Sequence, residues 1–222
     1  MAHLNSNSKR IFAGIAAAAV LAVPLTACGS DEGSSSSSSS APAPKPVAEI
    51  EALSGESTAI LLDKGFTDAL ASLKLTPGVV GDAALTDGSL IFPITGGNVS
   101  VFKPGSVPNY VTGQIQHEGS GLSLTAGDTT VELTNFNVDP GVSRVYGDVT
   151  VNGEVAATSA YLFELNGSTL KPLQSEGNTA ILEGTKVSIS DVAAPVLNDV
   201  FKTDAVKPGL LVGIAKITVN TK

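Results

Sequence analysis

The feature that most constrains this chain is a period-two alternation of apolar and polar side chains, broken at short intervals by glycine-containing turn pairs. Val111, Ile115 and His117 alternate with Thr112, Gln114 and Gln116. Val145, Val149 and Val151 alternate with Tyr146, Asp148 and Thr150, while Tyr161, Phe163 and Leu165 alternate with Leu162 and Glu164. Between such runs stand Gly96-Gly97, Pro104-Gly105, Gly119-Ser120-Gly121, Asn152-Gly153 and Asn166-Gly167. Period two is the strand period, and these dipeptides are turn formers, so the pattern predicts an antiparallel sheet system. The fold class expected is mainly β (α+β): an antiparallel β-sandwich or half-barrel with two short amphipathic helices. The first helix is expected from a cap at Ser57 or Thr58, with Leu62, Phe66, Ala69, Leu70 and Leu73 on one face. The second is expected from Ser190 or Asp191, with Val192, Val196, Leu197, Val200 and Phe201 on one stripe and Pro195 near its first turn. Each runs on toward a Pro-Gly pair, Pro77-Gly78 and Pro208-Gly209, and then an apolar stretch. This echo predicts a pseudo-symmetric arrangement, with the helices closing two ends or flanks of the sheet.

The N-terminus carries an address. Lys9 and Arg10 precede an uncharged apolar stretch from Ile11 to Leu25, the form of a secretory signal. It ends in Leu25-Thr26-Ala27-Cys28-Gly29, a lipobox. The thiol is what the chemistry needs, because diacylglycerol is attached to it as a thioether before cleavage. Cys28 is the only cysteine, so no internal disulfide can form and packing must hold the fold. Residues 1–27 are thus expected to be a lipoprotein signal peptide. Residues 28–48, with serines from Ser34 to Ser40 and then Ala41-Pro42-Ala43-Pro44-Lys45-Pro46, are expected to be a disordered tether. A single β-rich domain is expected over 49–222, on the extracytoplasmic face of a bacterial membrane.

Residues 28–222 carry 11 basic and 21 acidic side chains, net −10. With no cluster of Lys or Arg, this balance argues against nucleic acid and against anionic headgroups as partners. The catalytic inventory is sparse. After residue 27 there is one histidine, and no G-x-S-x-G elbow accompanies it. No glycine-rich phosphate loop opens a helix, and Asp128, Glu132, Asp139 and Asp148 lack calcium-loop spacing. No metal site is expected, and binding is favoured over catalysis. His117 shares a face with Val111 and Ile115 and is expected to look toward a core or pocket. Tyr161 is expected on an apolar face with Phe163, and Tyr110 on the opposite face of its own strand. These three are the candidate ligand-binding residues: an inward imidazole and a phenol could contact a haem iron.

The run Gly88-Ser89-Leu90-Ile91-Phe92-Pro93-Ile94-Thr95-Gly96-Gly97 is followed by Gly113-Gln114-Ile115-Gln116-His117-Glu118-Gly119. Then come Leu122-Ser123-Leu124 and Thr130-Val131-Glu132-Leu133-Thr134-Asn135-Phe136. As a rhythm over much of residues 57–219, these segments resemble secreted actinobacterial proteins distantly similar to HtaA-type haem-binding domains. The resemblance implies a β-rich fold, a surface location and haem as a ligand, held through a tyrosine with histidine support. Such domains carry their tyrosine near the domain start, where this chain has Gly65-Phe66-Thr67. A cell-surface module for haem or another apolar ligand is therefore expected. The alternatives are a structural or adhesive surface domain without a small ligand, and an envelope lipid carrier.

Overall fold

The computed structural model describes residues 43–222; Cys28, the expected signal peptide and the serine run lie outside the described residues. In chain order the strands are β1 (Ala48–Ile50), β2 (Glu56–Leu62), β3 (Thr76–Gly81), β4 (Ala84–Thr86), β5 (Ser89–Pro93), β6 (Gly96–Val101) and β7 (Val111–Ala126). They continue with β8 (Thr129–Asp139), β9 (Arg144–Val151), β10 (Glu154–Asn166), β11 (Gln174–Glu176), β12 (Thr179–Ile189) and β13 (Leu211–Asn220). Among the described residues two α-helices interrupt them, α1 (Lys64–Ser72) and α2 (Ala193–Phe201). All thirteen strands join one antiparallel sheet, ordered β1-β6-β7-β8-β9-β10-β12-β13-β2-β5-β4, with β3 on β7 and β11 on β12. The sheet curls into a half-barrel, one of the two architectures that the sequence pattern predicts.

The curl has identifiable causes. Register shifts fall between His117 and Gly121 in β7, Thr134 and Asn137 in β8, and Ala157 and Ala160 in β10. Within them Gly119, Asn135 and Ser159 all take positive φ. Side chains tie the three irregularities together. Asn135 Oδ1 accepts from Gly119 N at 2.9 Å, Asn135 Nδ2 donates to Asp148 Oδ2 at 2.9 Å, and Asp148 Oδ1 accepts from Ser159 N at 3.0 Å. An unpaired residue sharpens local twist and bend, so bulges aligned across neighbouring strands bend the sheet along one line. Gly119-Ser120-Gly121 is accordingly a bulge inside a 16-residue strand and not the turn its glycines predict. Asn152-Gly153 does make the expected hairpin turn, both residues taking positive φ between β9 and β10.

The first helix starts later than expected. Ser57 and Thr58 lie in β2, and the cap is Asp63, whose carboxylate accepts from Gly65 N at 2.7 Å. The short run Ala59-Ile60-Leu61-Leu62 reads equally as strand or helix, and here pairing with β13 and β5 decides for strand. The second helix starts close to expectation: Ser190 Oγ accepts from Ala193 N at 2.9 Å, and Ser190 O accepts from Ala194 N. The two helices do not close separate ends. Phe66 and Leu70 of α1, with Leu73 at its C-terminal cap, face Leu197 and Phe201 of α2 around a remnant void of about 60 Å³, floored by Leu75, Leu124 and Leu210. The Pro-Gly echo also diverges. Pro77-Gly78 lies within β3, whereas Gly209 turns with φ 79° ahead of β13.

Candidate functional site

The concave side of the sheet is lined by inward positions of most of its strands: Thr58 and Ile60 of β2, Leu90 and Phe92 of β5, Ile115, His117 and Leu122 of β7. Phe136 of β8, Val145 of β9, Phe163 and Leu165 of β10, Val187 of β12, and Val212, Ala215 and Val219 of β13 continue its wall, with β1 and β6 adding Ile50 and Val99. These residues leave a cavity of about 420 Å³. That size lies within the range of small-molecule sites, and the lining is mostly apolar as such sites are. Pro108, Asn109, Tyr110, Pro140, Ser143, Gly167, Ser168 and Leu173 add loop residues to the lining, and Glu49 adds an exposed carboxylate.

His117 holds the curl together. The sheet path ends at β1 and β4, so no ladder joins β2 and β5 to the far end. The chain itself crosses that gap at Ile94-Thr95, where Thr95 N donates to Gln116 O at 2.8 Å and Thr95 Oγ1 accepts from Glu118 N at 2.9 Å. His117, 1 % exposed, reaches over from β7. Its Nδ1 lies 2.9 Å from Pro93 O, and its Nε2 lies 3.1 Å from Thr58 Oγ1. A carbonyl can only accept, so Nδ1 carries the ring proton. Burial pulls the imidazole below its ordinary pKa near 6.5, against the raising effect of the Pro93 and Phe92 carbonyls. The ring is therefore neutral, Nε2 is an acceptor, and the Thr58 hydroxyl donates to it.

Aromatic rings extend from this point. Phe92 meets His117 edge-on with centroids 6.2 Å apart, Phe136 meets Phe92 at 5.2 Å, and Phe163 meets Phe136 at 6.0 Å. Such edge-to-face contacts set one ring against the next along the wall. Phe92 and Phe136 come from the two sequence segments flanking the histidine segment, so the three motifs converge in space.

Of the residues singled out in sequence, His117 and Tyr110 lie on the cavity lining. Tyr161 does not. A register shift between Tyr161 and Phe163 breaks the expected alternation and puts the two on different faces. Tyr161 instead tilts against Tyr146 at 6.0 Å, beneath the Arg144 guanidinium 4.5 Å from its ring centroid. Partial burial, and then the charge of Glu164, raises its phenol above the ordinary value. Thr58 and the phenylalanine row escaped the sequence reading. Thr58 was hidden by its resemblance to a helix cap; the phenylalanines stood at inward strand positions but carried no polar atom to draw notice. Among the described residues, no group of three or more His, Cys, Asp or Glu is placed to hold a metal ion.

The fold and cavity together define a small curled β-domain with an apolar interior and a histidine seam. The C-terminal domain of HtaA from Corynebacterium glutamicum has this fold: it matches with a TM-score of 0.51 at 15 % identity, over 78 % of this chain and 98 % of that one. A domain-swapped dimer of the H434A variant of the same domain matches at 0.45 and 16 %, over 71 % and 90 %. The heme-binding protein HtaB from the same organism matches at 0.39 and 8 %, over 78 % and 96 %. No protein-family model matches the chain, and no curated protein matches it in sequence.

Proposed function

We propose that this domain is a binding module for a hydrophobic small molecule, haem or another apolar ligand, displayed outside the cell on lipid attached to Cys28. The carrying observation is the unfilled concave interior, about 420 Å³ walled by Ile60, Leu90, Phe92, Phe136, Phe163 and Val187. Unfilled apolar volume sacrifices the packing that stabilises ordinary cores, so its presence in an otherwise packed domain favours a cavity made for a guest. Haem enters through the sequence resemblance and the shared fold. The cavity's apolar wall suits the faces of a porphyrin, and the donors on its lining are His117 Nε2, once released from Thr58, and the Tyr110 phenol. Such a group would supply an iron centre and strong visible absorbance.

The test is titration of the purified protein with Nile red and, separately, with hemin. Brightening of the dye is expected, together with a hemin absorbance shift that changes in His117→Ala or Tyr110→Phe. Silence from both ligands would sink the reading. For the anchor, Cys28→Ala is expected to move the protein from the membrane fraction to the soluble fraction; a variant that stays membrane-bound would refute lipidation there.

A further inference from the structure

The polar chemistry of the cavity narrows the guest further, and this step rests on the binding-module reading above. Among the described residues, no Lys or Arg lines the cavity, and the one charged lining residue is the acid Glu49. A carboxylate drawn inside would lose water and find no cation, which is costly for any buried charge. The deepest polar atoms are those of His117 and Thr58, the latter 5 % exposed. Both ring nitrogens are committed, Nδ1 to Pro93 O and Nε2 to the Thr58 hydroxyl proton. A hydroxyl has one proton and two lone pairs. With its proton given to His117, Thr58 Oγ1 can offer a guest only an acceptor.

From this we infer that the preferred ligand is an uncharged hydrophobe whose buried end carries a hydroxyl, donating to Thr58. A long-chain or isoprenoid alcohol has this chemistry. A fatty acid does not, nor does an ether of the same length, which lacks the proton. The same logic ranks an uncharged lipid alcohol above haem, whose carboxylates can be accommodated only at the mouth.

Displacement of Nile red from the purified protein at pH 8 tests this, using 1-dodecanol, 1-methoxyundecane and dodecanoate. Dodecanol is expected to displace the dye at roughly fivefold lower concentration than the ether, as one net hydrogen bond allows, with dodecanoate weakest. In the double variant Thr58→Val, His117→Phe, which removes both the hydroxyl and the Nε2 acceptor that its loss would free, the alcohol and the ether become equal; in Thr58→Ser, which keeps the hydroxyl, the alcohol keeps its advantage. Dodecanoate matching dodecanol, or an alcohol preference that survives in the double variant, would overturn the inference while leaving the binding module intact. Should the double variant fail to fold, the ranking of the three probes on the unaltered protein decides. Dye that never brightens removes the binding-module reading itself.

Discussion

At the helical end of the domain, Phe66, Leu70, Leu73, Leu197 and Phe201 close on one another until about 60 Å³ remains. Inside the curl, Phe92, Phe136, Phe163, Val145 and Val187 stand around about 420 Å³. The residue types are alike, so composition does not separate the two interiors. Freedom to approach does. Helices α1 and α2 are separate bodies that can slide together until their side chains mesh. A strand in the curl cannot move inward without breaking its ladder, and the bulges held by Asn135 and Asp148 fix the curvature. Backbone pairing therefore sets the size of the open interior, and side-chain packing sets that of the closed one.

That contrast breaks most readily at the packed end. Phe66→Ala is expected to cost about 3–5 kcal/mol, as for large aromatic truncations in filled cores, with little change in Nile red affinity. Urea denaturation beside a dye titration checks both halves. A loss of stability under 1 kcal/mol on the scale of surface changes, or a matching loss of dye binding, would show that the interiors are coupled.

Acid probes the seam. Folding keeps His117 neutral, whereas the unfolded chain takes up a proton near its ordinary value of 6.5. The contribution of the neutral ring is thus complete above pH 6.5, shrinks as pH falls below it, and levels off beneath the lowered folded value. The slope in that window is at most about 1.4 kcal/mol per pH unit. Denaturation midpoints between pH 8 and pH 5 should fall in the unaltered protein and lose this component in His117→Gln. An unchanged slope in the variant would assign it to other groups.

The smallest effect on stability sharpens the contrast from the open side. Ala215 is 4 % exposed and lies on the cavity wall. Ala215→Leu should change stability by less than about 1 kcal/mol, because the added methyls enter empty space. Nile red brightening should nevertheless fall by more than half. Dye binding that persists at full strength would place the guest elsewhere.

Much of this was legible in sequence, for a reason that also marks the limit. Val145 and Val149 alternate cleanly because the bulges beside them lie in β8 and β10 and β9 carries no extra residue of its own, so their burial followed from period two. His117 lies just before the bulge in β7 and faces inward with Ile115 for the same reason. Tyr161 was misplaced because the alternation slips between it and Phe163, and a bulge leaves no residue type that announces it. Thr58 was misread because a polar residue before a short apolar run satisfies a helix start and a strand alike. The partner of His117 thus lay 59 positions away, in a segment assigned to the wrong element.

The seam between β2 and β7 has an architectural consequence. A fully laddered barrel has a girth fixed by its number of strands and their stagger, and it changes only in steps. Here the circuit is completed across one gap by the covalent Ile94-Thr95 crossing, with its bonds to Gln116 and Glu118, and by an imidazole and a hydroxyl 3.1 Å apart. Where a closed barrel has one more ladder, this one has a short crossing and a single side-chain clasp, so the edge of the interior at that point is decided by which residues stand at 58 and 117 as well as by how many strands there are.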